Sequence, residues 1–356
     1  MHPFNHVQPY PFEQWWVGAY SGEVGAAILP RMILGAPLIF YRTQAGEPVA
    51  LAGICSHRSF PLAGAKRAGD QVQCPYHGFT FASSGQCVRV PSQATVPARS
   101  ALRRYPCVEK GGLVWVWTGD ADRADPAMVP PIEAMGLGEL GWIADVSPIV
   151  TIKCRYTLLI DNLLDLSHAS FIHSDTIPGG EAIAAIPTEI VDGDESLNIR
   201  RIGRGLPANP LLRMQFPEHD GAVDQHFDAE YFGPNLIRTG GKVSRAEDGA
   251  PLGTQNFIHG ITPAAPHQVH YFVITTRNFG ADNPALSAFN LSMGDRIQPQ
   301  DIAAIEAIEA MFQSLAAPPS EISCRADTGA LKARHRLAAQ IAREHAPTRA
   351  RNLIHA

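Results

Sequence analysis

Residues 53–81 read GICSHRSFPLAGAKRAGDQVQCPYHGFTF and contain two short loops that each carry one cysteine and one histidine. The first loop is CSH at 55–57, and sixteen residues separate it from CPYH at 74–77. Two thiols and two imidazoles in this arrangement predict a metal site. A zinc finger of the Cys2His2 type instead places both cysteines in one hairpin and both histidines on a helix. In a two-iron cluster, one iron can bind both thiolates and the other both imidazoles, which raises the reduction potential.

A second stretch, DNLLDLSHASFIH at 161–173, combines carboxylates with two histidines. On one continuous helix, Asp161, Asp165 and His168 would share a face, because they are four and then three residues apart. His173 lies roughly 140° further round an ideal helix, so the helix must end, bulge or loosen before both histidines can reach one metal. Two histidines with one carboxylate are typical of non-haem Fe(II), with zinc as the chemical competitor. An amphipathic helix with two polar histidines is the alternative without a metal.

Both stretches resemble motifs of one family, the Rieske-type non-haem iron oxygenases that hydroxylate or demethylate aromatic rings. CSHRSFPLAGA followed by VQCPYHGFTF is similar to the cluster-binding loops, and DNLLDLSHASFIH is similar to the motif of the mononuclear iron. This resemblance implies that His168 and His173 bind Fe(II). It also implies four ligands for a Rieske [2Fe-2S] cluster: Cys55, His57, Cys74 and His77.

The third iron ligand in this family is an aspartate on a later helix. Asp301 fits best here, in the first turn of a helix predicted over 299–315, with Asp295 and Glu306 as fallback candidates. The family often has a glutamate before this aspartate, whereas this chain has Gln300. A carboxylate at a helix N-terminus is also favoured by the helix dipole alone, which is the alternative explanation of Asp301.

Further roles follow from the resemblance. Asp165 is expected to bridge an iron-ligating histidine to the partner subunit's His77, which implies a head-to-tail ring, most simply a homotrimer. Asn162 is expected beside the iron. His259 falls where relatives of the dicamba type hold a substrate-binding histidine. Arg238 and Arg277 are candidates to pair with a substrate carboxylate, although a surface or strand position would explain all three residues equally well.

The hydrophobic pattern predicts two domains. Residues 1–120 alternate short apolar runs with glycine-rich and proline-rich turns, which indicates an all-β domain. Residues 121–356 combine strand-like runs near 149–159, 187–203, 226–238, 254–262 and 268–277 with helices near 161–172, 299–315 and 331–345. The expected fold is an all-β Rieske domain followed by an α+β catalytic domain, with an antiparallel sheet and helices of the helix-grip type.

The residues of the second motif resemble most those of the family branch that oxidises vanillate, dicamba and toluenesulfonate. The leading hypothesis is a monooxygenase of aromatic compound catabolism, acting on a methoxy or methyl group of an aromatic acid. A ring cis-dihydroxylating dioxygenase and an N-demethylase are the alternatives with the same metal sites. A pure electron carrier would need only residues 1–120. A zinc-stapled binding module would be colourless, whereas a Rieske protein is red-brown.

The bulk composition excludes other classes of protein. A formal net charge of −5 provides no basic field for nucleic acid. No apolar run is long enough to span a bilayer, and the start of the chain lacks the layout of a secretory signal, so a cytoplasmic location is expected. The four cysteines outside the motif are predicted to be buried thiols: Cys87, Cys107, Cys154 and Cys324. Neither a dinucleotide fingerprint nor a plant-type ferredoxin set of cysteines is present, so electrons must come from a separate NAD(P)H-dependent flavin and iron–sulfur reductase or a ferredoxin.

Overall fold

The computed structural model describes residues 10–176, 184–317 and 319–345. These residues divide into two compact units. The N-terminal unit contains 10–129, with 262–265 and 340–345, and the C-terminal unit contains the remaining described residues between 130 and 339. The domain boundary expected at residue 120 stays a prediction.

The N-terminal unit is built from three small antiparallel sheets, with the strand orders β1-β11-β10, β2-β3-β4-β9 and β5-β6-β7-β8. Their strands are β1 (Trp15–Tyr20), β2 (Leu29–Ile33), β3 (Ala36–Arg42), β4 (Pro48–Ala52), β5 (Lys66–Ala68), β6 (Gln71–Gln73), β7 (Thr80–Phe81), β8 (Cys87–Arg89), β9 (Arg104–Tyr105), β10 (Cys107–Lys110) and β11 (Leu113–Trp117). Aromatic and β-branched residues favour these strands. In β11 all five residues are buried, as expected for a strand covered on both faces.

The C-terminal unit contains a nine-stranded sheet whose main path is β12-β20-β19-β18-β16-β15-β14, with β13 and β17 off this path. Its strands are β12 (Ile143–Val146), β13 (Val150–Ile152), β14 (Thr188–Asp192), β15 (Leu197–Leu206), β16 (Val223–His226), β17 (Asp228–Gly233), β18 (Leu236–Arg245), β19 (Pro251–Ala265) and β20 (Gln268–Arg277). The described helices are α1 (Tyr156–Leu164), α2 (Ala169–Ile172), α3 (Pro210–Gln215), α4 (Pro284–Ser314) and α5 (Thr328–His345). Helix α1 contacts α4, β17 and β18. The predicted fold class, an all-β domain and an α+β domain, is confirmed.

The predicted helix over 299–315 begins too late. Helix α4 already begins at Pro284, where the Asn283 side chain caps it by accepting a hydrogen bond from the Ala285 N–H at 3.1 Å. Pro299 lies inside the helix rather than at its start, because the helix begins fifteen residues earlier. Asp301 is therefore in the middle of a helix, and the helix-dipole explanation of this aspartate is wrong.

Two other expectations are corrected within the described residues. The strand-like run near 149–159 contains only the short strand β13, because the backbone turns into α1 at Tyr156. Cys324 is exposed and Cys107 only half-buried, whereas Cys87 and Cys154 are buried as predicted. The helix predicted at 331–345 is confirmed by α5. No described helix is long and apolar enough to cross a membrane.

Candidate metal centres

The two cysteine–histidine loops of the N-terminal unit close in the same way. In the first loop, the Cys55 N–H donates to the Phe60 carbonyl at 2.9 Å, and the Cys55 carbonyl accepts from the Ser59 N–H at 3.0 Å. In the second loop, Cys74 makes the matching pair of bonds with Phe79 and Gly78, at 2.8 and 3.0 Å. The residue four positions after each cysteine has a positive φ, 50° at Ser59 and 73° at Gly78. Both loops therefore hold their candidate ligand residues in equivalent tight turns.

Gly78 also has a steric reason to be glycine. A Cβ built on it would lie 2.8 Å from the Pro91 Cγ atom, and its φ disfavours any side chain. The conformation of this turn therefore requires the glycine that directly follows His77.

The side chains of these loops separate into buried thiols and exposed rings. Cys55 and Cys74 expose 3% and 1% of their surface, and burial raises the pKa of the Cys55 thiol to about 11. The His57 and His77 rings lie edge to face with centroids 4.6 Å apart. His57 also stacks on Phe79 at 4.6 Å.

The donor set of these loops fits a two-iron cluster better than one zinc ion. A tetrahedral zinc site needs its four ligand atoms within about 4 Å of one another, since Zn–S and Zn–N bonds are about 2.3 and 2.1 Å long. Across the described residues, the only group of three or more potential ligands that meets within 4.8 Å is His168, His173 and Asp301. The four residues of the loops do not meet in this way, as expected when two ligands bind each of two irons.

The second site lies between the α1–α2 segment and α4 of the C-terminal unit. Helix α1 ends at Leu164, because Asp165 adopts extended dihedral angles of φ −111° and ψ 91°. A 3-10 turn over Leu166–His168 then leads into the single turn of α2, and His173 terminates it. The expectation that Asp161, Asp165 and His168 share one helix face is therefore wrong, because the helix breaks at Asp165. The helical geometry ends at His173, and the side chains of His168 and His173 meet beside Asp301.

Asp301 meets both imidazoles. Its Oδ1 atom lies 3.3 Å from His168 Nε2 and 3.2 Å from His173 Nε2. Burial opposes the negative charge of Asp301, but its close contacts with the two imidazoles outweigh burial and hold the pKa of this carboxyl below its usual range. An ionised carboxylate beside two imidazoles is the donor set that non-haem Fe(II) prefers.

The other ring nitrogens of the two histidines have carbonyl partners. His168 Nδ1 lies 2.5 Å from the Asp165 backbone carbonyl, and His173 Nδ1 lies 2.8 Å from Gln300 Oε1. Because a carbonyl oxygen can only accept, each Nδ1 carries the proton, and each Nε2 lone pair is free to bind a metal. Gln300, noted in the sequence only as a departure from the family, thus holds one of these rings.

Asn162 and Asp165 lie next to this site. The Asn162 amide donates to Asp301 Oδ1 at 3.1 Å, whereas its own Oδ1 is buried without a hydrogen-bond partner among the described residues. An orphaned buried acceptor beside the triad fits a further polar group or cation bound there. Asp165 accepts from the Ser167 N–H and hydroxyl at 2.9 Å and lies 3.4 Å from the Arg201 guanidinium. Arg201, which the sequence did not single out, is buried on β15.

The remaining candidates from the sequence lie in other contacts. Arg238 pairs with Glu230 at 2.9 Å, and Arg277 donates to backbone carbonyls and Ser287. Glu306 accepts from the Lys153 N–H at 2.8 Å, which leaves Asp301 as the better third candidate. Neither Arg238 nor Arg277 lines the cavity described next.

A cavity of about 310 Å³ opens on this triad, with His168, His173 and Asp301 in its wall. His259 also lines it and is buried, with Nε2 2.9 Å from the Thr239 hydroxyl and Nδ1 2.8 Å from the Tyr271 hydroxyl. Burial lowers the pKa of His259 to about 4, against the opposing charge of Asp301. The side chain is therefore a neutral imidazole near pH 7.

Family models match both parts of the chain. Residues 14–106 match the Rieske [2Fe-2S] domain, and residues 152–343 match the vanillate O-demethylase oxygenase C-terminal domain.

Characterised relatives match along most of their length. The oxygenase component of dicamba O-demethylase from Stenotrophomonas maltophilia is 31% identical over 87% of this chain and 92% of its own. An iron–sulfur subunit of the toluene-4-sulfonate monooxygenase system of Comamonas testosteroni is 30% identical over 77% of this chain and 80% of its own. A vanillate O-demethylase oxygenase subunit from a Pseudomonas species is 29% identical over 76% and 78%.

Solved structures show the same fold. A crystal structure of dicamba monooxygenase bound to 3,6-dichlorosalicylic acid superimposes with a TM-score of 0.85 at 27% identity, covering 95% of this chain and all of that one. Another structure of that enzyme contains non-haem iron and dicamba. With this fold, both family models and these relatives, the chain belongs to the Rieske non-haem iron oxygenases, as an oxygenase component with a Rieske [2Fe-2S] cluster and a mononuclear iron.

Proposed function

We propose that this protein hydroxylates a methoxy or methyl group of a small aromatic compound, which removes a methoxy carbon as formaldehyde or converts a methyl group to an alcohol. The observation that carries this proposal is the cavity of about 310 Å³ that opens on His168, His173 and Asp301. Its volume suits a single substituted ring. Relatives named for demethylation and for oxidation of a toluene derivative support the same chemistry.

The residue assignments are part of this proposal. The mononuclear iron is assigned to His168, His173 and Asp301, with Asn162 beside it. The cluster is assigned to the four residues of the N-terminal loops: Cys55, His57, Cys74 and His77. Bound in the triad, Fe(II) would supply dioxygen activation, because a facial set of three ligands leaves positions for dioxygen and substrate.

The protein's own residues prepare this chemistry. The Asp165 carbonyl and the Gln300 amide keep both iron-site imidazoles in the tautomer that can bind metal. The apolar wall of the cavity excludes water, which protects reactive states from side reactions. His259, held between two hydroxyl groups, is placed to position the substrate rather than to exchange protons near pH 7.

Electrons would come from a separate NAD(P)H-dependent reductase or ferredoxin. We propose a homotrimer in which Asp165 accepts a hydrogen bond from the partner subunit's His77 and so links two metal centres. The ion pair with Arg201 supports this role, because the buried guanidinium holds the Asp165 carboxylate in place. A cytoplasmic location stays a prediction of the sequence.

The first experiment measures iron and acid-labile sulfide on anaerobically purified protein, with an EPR spectrum after reduction. About three irons and two sulfides per chain, with a Rieske-type signal, are expected. A panel of methoxy-substituted aromatics, supplied with a reductase and NADH, then tests formaldehyde release against heat-treated protein. A cis-diol product without formaldehyde would replace the proposal with ring dihydroxylation, and zinc without sulfide would reject the metal assignments.

A further inference from the structure

Several side-chain amides line the cavity above the iron site, together with hydroxyl groups and imidazoles. Five glutamine and asparagine side chains line it besides Asn162: Gln215, Gln225, Gln255, Asn290 and Gln298. No lysine or arginine lines it among the described residues. The described wall of the cavity therefore contains no cationic side chain of these two types.

The two arginines that the sequence offered to a substrate carboxylate already have partners. Arg238 forms an ion pair with Glu230 at 2.9 Å. Arg277 is almost completely buried, with its Nε atom 3.9 Å from Asp145. Neither guanidinium is therefore available to pair with a ligand in the cavity.

The histidines of the cavity do not replace these charges. His259 is buried between the Thr239 and Tyr271 hydroxyls, an environment that favours its neutral form. His226 already contacts the Asp228 carboxylate, which lies 3.6 Å from its Nδ1 atom. A carboxylate on the substrate would thus find no cationic side chain among the described residues of the cavity wall, which makes its burial costly.

Three of the amides form a directional chain of hydrogen bonds. Asn290 Nδ2 donates to Asp145 Oδ2 at 3.1 Å, and Gln255 Nε2 donates to Asn290 Oδ1 at 3.1 Å. Gln215 Nε2 then donates to Gln255 Oε1 at 2.8 Å. Because the Asp145 carboxylate can only accept, it orients every amide in the chain. The far end presents Gln215 Oε1, an acceptor for which the described residues supply no donor.

From this arrangement we infer that the cavity selects an uncharged aromatic substrate that donates a hydrogen bond, such as a carboxamide, aniline or phenol, to Gln215 Oε1. The inference rests on the proposed function for the site and narrows it, because the sequence alone suggested an aromatic acid. The amide chain positions an acceptor, and a carboxylate, which cannot donate a hydrogen bond, is disfavoured beside it.

The test compares three ligands that differ in one substituent: 3-methoxybenzamide, methyl 3-methoxybenzoate and 3-methoxybenzoate, together with the corresponding para series. Isothermal titration on the anaerobic holoenzyme measures each Kd, so binding is read without turnover. In at least one series, the amide is expected to bind about tenfold or more tightly than the carboxylate, with the ester between them. A carboxylate that binds as tightly as the amide in both series, or no binding by any amide, would overturn the inference.

Gln215→Met tests the acceptor, because it keeps the length of the side chain and removes the amide. The amide ligand is expected to weaken about tenfold, to the affinity of the ester, while the ester changes less than about twofold. Met214→Gln, an exposed neighbour outside the cavity wall, is the matched control and should leave all Kd values unchanged. Unaltered iron, sulfide and EPR signal verify that both variants are folded. An unaltered Kd for the amide in Gln215→Met would reject the role of Gln215.

Formaldehyde release, measured separately, distinguishes this inference from the proposed function. If the amide binds most tightly but releases no formaldehyde, the inference stands and demethylation fails. If only the carboxylate binds and is demethylated, demethylation stands and the inference fails.

Discussion

Gln300 contacts His173, one of the two histidines proposed to bind iron, through the Nδ1 atom of the imidazole ring. Its amide oxygen lies 2.8 Å from His173 Nδ1, and its nitrogen lies 3.4 Å from the Thr176 hydroxyl. Partners of this kind set the orientation and basicity of a metal-bound imidazole. A neutral amide attracts the Nδ1 proton less strongly than a carboxylate would. With an amide partner, the imidazole is therefore a weaker electron-pair donor to a metal.

Gln300→Glu should therefore bind Fe(II) more tightly, and Gln300→Leu, which has no acceptor, more weakly. An effect of about tenfold in each direction is expected, since such partners change metal affinity by about 10- to 100-fold. Competition with a colorimetric chelator measures the Kd for Fe(II). Equal affinities in all three proteins would show that Gln300 has no influence on the iron.

The burial of His259 predicts that the folded protein loses stability in acid. Its pKa is about 4 in the folded protein, below the ordinary value of 6.5, because burial disfavours the charged ring. Between these values the unfolded chain binds the proton and the folded chain does not, so stability rises with pH and is lost as the pH falls from 6.5 towards 4.

From pH 7.5 to pH 5, this residue should lower the free energy of unfolding by about 2 kcal/mol. His259→Asn should remove that part of the pH dependence, whereas His335→Asn, at an exposed position, should retain it. Urea unfolding at both pH values measures the difference. The same pH dependence in His259→Asn and the parent protein would contradict the neutral, buried assignment.

At the scale of elements, Glu309 joins the start of α1 to α4. Its carboxylate accepts from the Arg155 N–H at 3.0 Å and from the guanidinium at 2.7 and 3.0 Å. Arg155 is the residue directly before α1, and Glu309 lies two turns after Asp301 on α4. Burial opposes the Glu309 charge, but the bonds from Arg155 lower the pKa of this carboxyl to about 2. The pair thus holds the helix that carries Asn162 against the helix that carries Asp301.

Glu309→Gln should destabilise the protein by about 3–5 kcal/mol, because it leaves the buried Arg155 without a counter-charge. The double variant Arg155→Met with Glu309→Leu should recover most of this loss, since apolar residues of similar volume need no partner. Met311→Gln, exposed on the same helix, is the control and should change stability by less than about 0.5 kcal/mol. Urea unfolding monitored by circular dichroism measures all three. A double variant as unstable as Glu309→Gln would contradict the ion-pair explanation.

The sequence predicts a helix well where the spacing of its apolar residues agrees with their burial. It predicts the bounds of a helix less well where that spacing and the burial differ. In α5 the apolar positions Leu337 and Ile341 are buried on one side, as the spacing predicts. In α4 the apolar positions do not form one buried side, because Ile305 is buried but Ile308 is 44% exposed. The helix also extends well beyond the predicted residues, with Pro299 in its interior.

At the scale of the whole molecule, the proposed electron route predicts complementation between inactive chains. A Cys55→Ser chain should lose the cluster but keep Asp165 and the iron site. An Asp165→Asn chain should keep the cluster but lose the bridge to its own iron. In mixed oligomers the second chain can supply electrons to the first, so activity should return to a fraction of the parent level, on the order of one tenth or more.

Co-expression with two affinity tags isolates the mixed oligomers, and formaldehyde release measures the recovered activity. Each variant alone, purified in the same way, is the control and should be inactive. If the mixed oligomers are equally inactive, electrons do not pass between subunits through Asp165. Sedimentation of the parent protein, expected to show a trimer, tests the assembly independently.

The sequence by itself determined the family, the two metal centres and the fold class. The reason is that the ligands come in short motifs, so that Cys55 and His57, or His168 and His173, are neighbours in the chain whatever the rest of the fold does. The chemistry of thiolate, imidazole and carboxylate then selects the metal.

Only the tertiary structure showed which distant residues lie beside these motifs. Asp301 meets the histidines, Arg201 meets Asp165, and Gln215 is connected to Asp145 through a chain of amides. None of these pairs is close in sequence, because each depends on where α4 packs and how the strands of the large sheet align. A one-residue change of strand register would turn such side chains to the opposite face, and no local pattern specifies that register across the chain.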